Sequence, residues 1–305
     1  MKTHSKTVIA VVGPTAVGKT AVGIQLAEQF KTEILSADSR QCYKELNVGV
    51  ARPSETELQT IPHHFIASHS IHDEFTAADY ESYALQISQT ILSDKDQLVL
   101  AGGTGLYIRA FLDGLDQIPT VDAGIRQAVI SLHAEKGIEG LTVELSRLDP
   151  RFVQEGEMKN PQRMMRALEV VMSTGSSILS YRTGMSKPRL FDVKWVGLEL
   201  PREVLVDRID KRVEDMMEAR WLEEAKALFP HRNLNALQTV GYKELFGHLA
   251  GNYSLEEAVD RIKIATRQYA KRQMTWFRKN GSIRWFEPTD VSGIRQYLLS
   301  EDQRN

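Results

Sequence analysis

The sequence predicts an α/β fold, a parallel sheet flanked by helices, on three observations. A β-branched run, Thr7-Val-Ile-Ala-Val-Val12, leads into the glycine-bounded turn Gly13-Pro-Thr-Ala-Val-Gly-Lys19-Thr20. The segment after the turn repeats Val22, Leu26 and Phe30 every four residues, so the order is strand, turn, helix. Two further short apolar runs, Glu33-Ile-Leu-Ser-Ala37 and Gln97-Leu-Val-Leu-Ala101, read as strands buried on both faces of a parallel sheet.

The turn fits the pattern G-x-x-x-x-G-K-[ST], in which backbone N–H groups close around a polyphosphate at the positive end of a helix. Gly13, Pro14, Thr15, Ala16, Val17, Gly18, Lys19 and Thr20 are therefore the candidate phosphate site. Lys19 would reach the terminal charge and the Thr20 hydroxyl would hold Mg²⁺. The second strand delivers Asp38 to its C-terminal end, the edge where open α/β sheets bind ligands, which puts a carboxylate beside the loop. An irregular, histidine-bearing stretch follows. Thr76 then caps a helix running to about Leu92, with Asp79 three residues on. After the third strand, Gly102-Gly103-Thr104-Gly105 turns the chain into a helix starting near Leu106, a second ligand-facing turn.

Between Ile118 and Pro188 the strand signal disappears. Helical patterns at Ala123–Lys136 and Pro161–Thr174 are joined by loops at Gly137, Asp149-Pro150 and Gly175, which predicts a helical insertion at 118–189 in a core made of 1–117 and 190–305. The core resumes with the strand Val193–Leu198 and a long helical stretch, Arg202–Leu228, started by Pro201. Ser254-Leu-Glu-Glu257 reads as a capping box for a helix to about Lys279, and Ser282–Phe286 as a last strand.

At 305 residues and 42% hydrophobic content, the chain can bury one large core or two smaller ones. Its net charge of -2 conceals an asymmetry: residues 1–150 hold 12 basic and 19 acidic side chains, the remainder 26 and 21. A cationic half joined to a phosphate-loop half suggests an anionic macromolecular partner. The lone Cys42 rules out an internal disulfide framework and a cysteine zinc site. With no leader before the first strand and no apolar run long enough for a bilayer, a cytoplasmic protein without membrane association is expected, and a monomer.

A phosphate loop serves ATP hydrolysis, phosphoryl transfer, or binding of a diphosphate that is itself the leaving group. A Walker-type ATPase usually ends the third strand in Asp to hold Mg²⁺, whereas this strand ends in Ala101-Gly-Gly. Asp38 is then the main carboxylate near the loop, fit to help Thr20 with Mg²⁺, to take a proton from a nucleophile, or simply to cap a turn. From Arg261 to Arg284 there are eight basic residues and no acidic one. Lys263, Arg267 and Lys271 are spaced by four, and Tyr269, Trp276 and Phe277 are interleaved in the same basic run, a face suited to nucleic acid or to plain solvent. Met158–Arg189 adds six basic residues against Glu169, among them Arg163 and Arg166 beside Gln162.

Taken in order, Gly13–Thr20, Asp38-Ser-Arg-Gln41, Gly102-Gly-Thr-Gly-Leu-Tyr107, Pro161-Gln-Arg-Met-Met-Arg-Ala-Leu-Glu169, Val240-Gly-Tyr-Lys243 and Thr266–Phe277 closely resemble the tRNA dimethylallyltransferases, from about Val8 to Phe286. The resemblance implies a P-loop NTPase-like core. It also implies transfer of a dimethylallyl group from dimethylallyl diphosphate, with Mg²⁺, to the exocyclic amine of the adenosine 3′ of a tRNA anticodon, position 37. Asp38 matches the family's general base, and Thr104 a residue that positions the amine. Arg212 and Arg267 match positions near the diphosphate. By the same resemblance Asp38, Ser39, Arg40 and Gln41, with Gln162, Arg163, Met164, Met165 and Arg166 of the insertion, touch the tRNA anticodon stem-loop. Lys263 and Lys271 join this set as phosphate contacts, and His63 stands in a family pattern that would line the acceptor site, although paired loop histidines are more often turn or core residues. Three positions depart from the family: Glu157-Met-Lys-Asn160 stands in place of a His-Pro-Asn-type turn, Arg220-Trp221 in place of a Gly-Leu pair between two helices, and Lys243 where Arg is common, a point charge in place of a bidentate grip. The alternative left by the residues is a phosphate-loop kinase of a small metabolite or nucleotide.

Overall fold

A computed structural model describes residues 6–300. The contacts divide the chain into two compact units, one built from the chain up to Leu112 together with Pro188 onward, the other from Asp113–Lys187. In chain order the larger unit begins with β1 (Thr7–Val12), α1 (Lys19–Phe30), β2 (Ile34–Ala37), α2 (Glu55–Thr60), β3 (His63–His64), α3 (Ala77–Asp94), β4 (Gln97–Gly102) and α4 (Gly105–Leu112). The smaller unit holds α5 (Ala123–Leu148), α6 (Pro150–Glu155) and α7 (Pro161–Thr174). The larger unit resumes with β5 (Asp192–Leu198), α8 (Arg202–Glu218), α9 (Trp221–Leu228), α10 (Tyr242–Leu249), α11 (Leu255–Phe277), β6 (Arg284–Phe286) and α12 (Val291–Leu299).

All five strand pairings are parallel, in the order β3-β2-β4-β1-β5-β6. The β-branched strands bury both faces. Val8, Ala10, Val12, Leu98 and Leu100 face a core shared with α3, α4 and α11, while Ile9, Val11, Ile34 and Val99 face α1 and α12. Burying each of the larger side chains is worth roughly 1.5–3 kcal/mol, enough to fix strand register and therefore the positions of the strand ends. β4 lies between β1 and β2, so Asp38 leaves the sheet two strands from β1, yet it lines the same cavity as the phosphate loop. The turn after β4 fills that interval.

Caps at the ends of the helices follow the residues that announced them. Thr76 and Asp79 form a reciprocal box at α3, with Asp79 N–H on Thr76 Oγ1 and Thr76 N–H on Asp79 Oδ2. Ser54 and Glu57 do the same for the short α2, where the sequence shows only an irregular stretch. At α11 only half of the expected box forms: Glu257 N–H donates to Ser254 Oγ, while the Glu257 carboxylate holds Arg261. The predicted helical stretch Arg202–Leu228 is two helices. Arg220 sits in the left-handed region (φ 70°, ψ 35°), and the chain turns there before Trp221, which is buried in the core.

In the smaller unit α5 is broken at Gly137 (φ 60°, ψ -153°), and Asp149 accepts from Phe152 N–H to start α6 at Pro150. Asn160 caps α7 by accepting from Arg163 N–H. Val129, Leu141, Leu145, Phe152, Met164 and Leu168 form the core of this unit. Arg189, which the sequence places in the insertion, is anchored in the larger unit. Its guanidinium donates at 2.9 Å both to Glu81 of α3 and to the Ala110 carbonyl.

A left-handed conformation costs an L-residue about 1 kcal/mol or more, and the exposed Arg220 side chain makes no hydrogen bond among the described residues to offset it. Arg220→Gly is therefore expected to raise stability by about 0.5–1 kcal/mol, after the extra unfolded-state entropy of glycine is deducted. Thermal unfolding measures this, and an unchanged or lower midpoint would contradict the strain.

Candidate active site

Three strand ends and one helix build the site. At the end of β1, Gly13 has φ 149°, and a Cβ there would stand 2.5 Å from the Leu198 carbonyl oxygen of β5, so the turn admits only glycine. Lys19, at the start of α1, folds back and donates to the carbonyls of Gly13 (3.1 Å) and Pro14 (2.7 Å). Val17 turns its side chain into the core, leaving only its backbone to the loop. Burial pushes the Lys19 ammonium down to about 7, aided by the Arg212 guanidinium and opposed by the Asp38 carboxylate. A cation held on two carbonyls at this cost in solvation is a strong receptor for an anion.

At the end of β2, Asp38 Oδ1 accepts from the N–H groups of Arg40 (2.8 Å) and Gln41 (3.2 Å). The carboxylate closes its own turn with this one oxygen. The Gln41 amide is already engaged, with Nε2 donating to the carbonyls of Val50 and Ala51. Only its Oε1 is left to accept from a substrate.

At the end of β4 the missing Walker-type carboxylate has a steric cause. A side chain at 102 would run into the Ala37 backbone, and one at 103 into the Gln273 amide. Thr104 N–H donates to the Ala37 carbonyl (3.1 Å), and its hydroxyl accepts from Ser39 N–H (3.0 Å), so β2 and β4 share one turn. Gln273 of α11, buried, ties that turn to the phosphate loop: Oε1 accepts from Thr15 N–H at 2.8 Å and Nε2 donates to the Gly103 carbonyl at 3.0 Å.

Two contiguous cavities result. The first, about 480 Å³, is lined by Thr15, Ala16, Gly18, Lys19 and Thr20 of the loop, with Asp38, Gln41, Arg208 and Arg212 opposite. The second, about 400 Å³, is walled by Arg40, Trp221, Val240, Lys243 and Arg272. Thr15, Asp38, Val50, Arg212 and Tyr269 line both and form the neck. The Tyr269 phenol is pushed up to about 12 by burial and by the Asp38 carboxylate, so it is a neutral hydrogen-bonding group, near the Thr104 hydroxyl.

Some sequence expectations need correction. Met164 and Met165 are buried in the core of the smaller unit and cannot offer side chains to RNA; only Gln162, Arg163 and Arg166 of that segment keep exposed surface. Arg267 does not line the loop cavity. It is bound to Asp210 of α8, and Lys263 is likewise paired with Glu214 at 2.6 Å, whereas Lys271 is exposed. Arg163 pairs with Glu157, and Arg166 with Glu169 at 3.1 Å. His63 lies in β3 opposite Ile34, at the far end of β2 from Asp38, with Nδ1 on the Ile61 carbonyl. Arg208, Tyr269 and Gln273 were missed as site residues. Arg208 and Arg212 stand one helical turn apart on α8, a spacing that would have paired them.

A sequence model of the IPP transferase family matches residues 41–280. The chain belongs to this family. It is 43% identical to a tRNA dimethylallyltransferase of Cytophaga hutchinsonii over 98% of both chains, and 43% identical to tRNA dimethylallyltransferase 1 of Bacteroides thetaiotaomicron over 96% of this chain and 95% of that one. Among solved structures, the full-length tRNA isopentenylpyrophosphate transferase of Bacillus halodurans superposes with a TM-score of 0.69 at 35% identity, covering 96% of this chain and 93% of that one. A eukaryotic dimethylallyltransferase acting on tRNA gives 0.77 at 27%, covering 94% and 75%. The core accordingly has the P-loop NTPase-like fold of these transferases. The kinase alternative is not favoured.

The state of Lys19 gives a pH signature. With its folded value near 7 against an ordinary 10.5, Lys19 is mostly neutral at pH 8, and a bound polyanion favours its charged form. Pyrophosphate binding at pH 8 should therefore take up close to one additional proton, and affinity should fall as pH rises above 7. Folding stability carries the opposite trend: the penalty for burying the charge is full below about 7 and is relieved as pH rises toward 10.5. Calorimetry in buffers of different ionisation enthalpy reads the uptake, and Lys19→Met should abolish the part due to the lysine. Equal uptake in both proteins would remove Lys19 from the anion site.

Proposed function

We propose that this protein transfers a dimethylallyl group from dimethylallyl diphosphate to the exocyclic N6 amine of the adenosine 3′ of the anticodon, tRNA position 37, releasing diphosphate. Dimethylallyl transfer to tRNA is the activity borne in the names of its relatives, at high coverage. The diphosphate donor and the N6 acceptor are what the family resemblance implies, and the site supports them. The observation that carries them is Asp38 at the neck between an anion-binding loop and a second cavity.

In prenyl transfer the bond from the allylic carbon to the diphosphate oxygen breaks while the bond to nitrogen forms. Charge grows on the leaving diphosphate, where Lys19, Arg208, Arg212 and the loop amides would stabilise it. In-line displacement requires the amine to approach from the side opposite the leaving group, which in this site is the second cavity. Asp38 would take the proton lost from N6, and Gln41 Oε1 would accept from the remaining N6–H. Thr104 would set the amine through the turn it shares with Ser39. A base reaches such a neck only when flipped out of its stack, which favours a single-stranded loop as substrate. Gln162, Arg163 and Arg166, with Lys271, are the proposed contacts of the anticodon stem-loop; Arg40 and Ser39 lie beside the acceptor.

Mg²⁺ fits the donor set. Thr20 and Asp38 offer oxygen to the same cavity, and among the described residues no cluster of three or more His, Cys, Asp or Glu suits a metal, so diphosphate oxygens and water would complete its shell. When bound, it supplies further neutralisation of the leaving group.

Asp38→Asn keeps the oxygen that closes the turn and removes only the base. It should lower prenylation by about 10²–10⁴-fold while tRNA binding persists. An active Asp38→Asn enzyme would remove Asp38 from the mechanism. The reading as a whole is tested by mass spectrometry of tRNA nucleosides after incubation with Mg²⁺ and dimethylallyl diphosphate. N6-(dimethylallyl)adenosine at position 37 is expected, and unmodified adenosine there, or ATP consumption without RNA, would overturn it.

A further inference from the structure

Val50 belongs to both cavities, and its carbonyl, with that of Ala51, holds the Gln41 amide at the neck. The segment Asn47–Val50 that presents it is a single helical turn, with Val48 and Val50 partly buried against the core of the larger unit. Its backbone N–H groups are held by a carboxylate from α9. Glu224 Oε2 accepts from the N–H groups of Asn47 (3.1 Å) and Val48 (2.9 Å), and Oε1 from Gly49 N–H (3.0 Å) and the Tyr242 hydroxyl (2.5 Å). Four donors meet one side chain.

The packing beneath is equally specific. Gly49 lies flat on Trp221 and Tyr242: a Cβ there would stand 2.6 Å from Tyr242 Cζ and overlap the indole. Gly241, which opens α10 at φ 93°, brings its own backbone against the same indole. Burial and the neighbouring carboxylate raise the Tyr242 phenol, so it remains a donor at any working pH. The Val240–Lys243 motif thereby acquires a structural role, with Tyr242 orienting Glu224 while Val240 and Lys243 face the second cavity.

We propose that Glu224 is a positioning residue for prenyl transfer. Its carboxylate latches residues 47–49 and, through the carbonyls of Val50 and Ala51, sets Gln41 against the reacting amine. The inference about transfer rests on the function proposed above; the latch does not.

Glu224→Gln is nearly isosteric, yet whichever way the amide is turned, one NH₂ group faces backbone N–H donors. Hydrogen exchange followed by mass spectrometry should show faster exchange in the peptide spanning 47–50, with the β1 and β4 peptides unchanged. With tRNA, kcat should fall about 10- to 100-fold, the scale of a small misplacement at the reacting atoms, while KM for dimethylallyl diphosphate stays within about twofold. Glu224→Gln combined with Gln41→Ala should be no worse than the more damaging single change, because both act through one contact. Tyr242→Phe, which removes a single hydroxyl, should move the same readouts in the same direction by less, and carries the comparison if Glu224→Gln loosens the whole fold. Unchanged exchange at 47–50 overturns the latch, whether or not the wild-type protein modifies tRNA. Faster local exchange with unaltered kcat, or additive losses in the double variant, overturns the positioning role. A wild-type protein that leaves tRNA unmodified overturns the proposed function instead, with the exchange result standing separately.

Discussion

The side chain of Gln273 holds the site together. One buried amide accepts from the phosphate loop and donates to the turn after β4, so the ends of β1 and β4 cannot drift apart. Each of these bonds contributes about 1 kcal/mol net, but a broken one leaves a buried polar group unpaired, which costs more. The constraint passes outward. Gly103 must lack a side chain to admit the amide, Thr104 then reaches back to Ala37 and Ser39, and Asp38 follows on the next strand. The Ala-Gly-Gly ending of β4, odd for a nucleotide hydrolase, is what lets α11 close over the sheet.

Charge is distributed around that frame with little waste. Lys19 and Arg212 both lose solvation on burial, and Asp38 between them is the carboxylate that offsets the loss for each. Farther out, Arg267 and Lys263 of the same cationic helix are neutralised by Asp210 and Glu214 of α8. The basic stripe read in α11 is therefore in part the glue between two helices, and its net attraction for a polyanion falls mainly to the positions left unpaired, such as Lys271.

Where the sequence could be read and where it could not follows the range of the interactions. Strand β1, its loop and α1 are announced by local patterns within about twenty residues, and they stand where those patterns put them. The α7 boundaries, Pro161 and Thr174, are marked by a proline at the start and a glycine after the end. Contacts between distant segments left no such mark. Gln273 bonds to residues 258 and 170 positions away, and nothing in a glutamine on an amphipathic helix signals which backbone groups it will find. The break at Arg220 was invisible to propensity because arginine is a good helix former, and tertiary packing of Trp221 overrides that preference. β3, two residues long, carries too little pattern to be seen as a strand.

Lys187 N–H donates to the Asp113 carbonyl at 2.7 Å, so the helical segment leaves and re-enters the chain at a single clasp. A polypeptide spliced at that clasp would lose three helices and keep every sheet strand, the anion turn, Asp38 and Thr104. The helices of 113–187 are thus a single excursion of the chain, from which neither the strand order nor the anion turn is drawn.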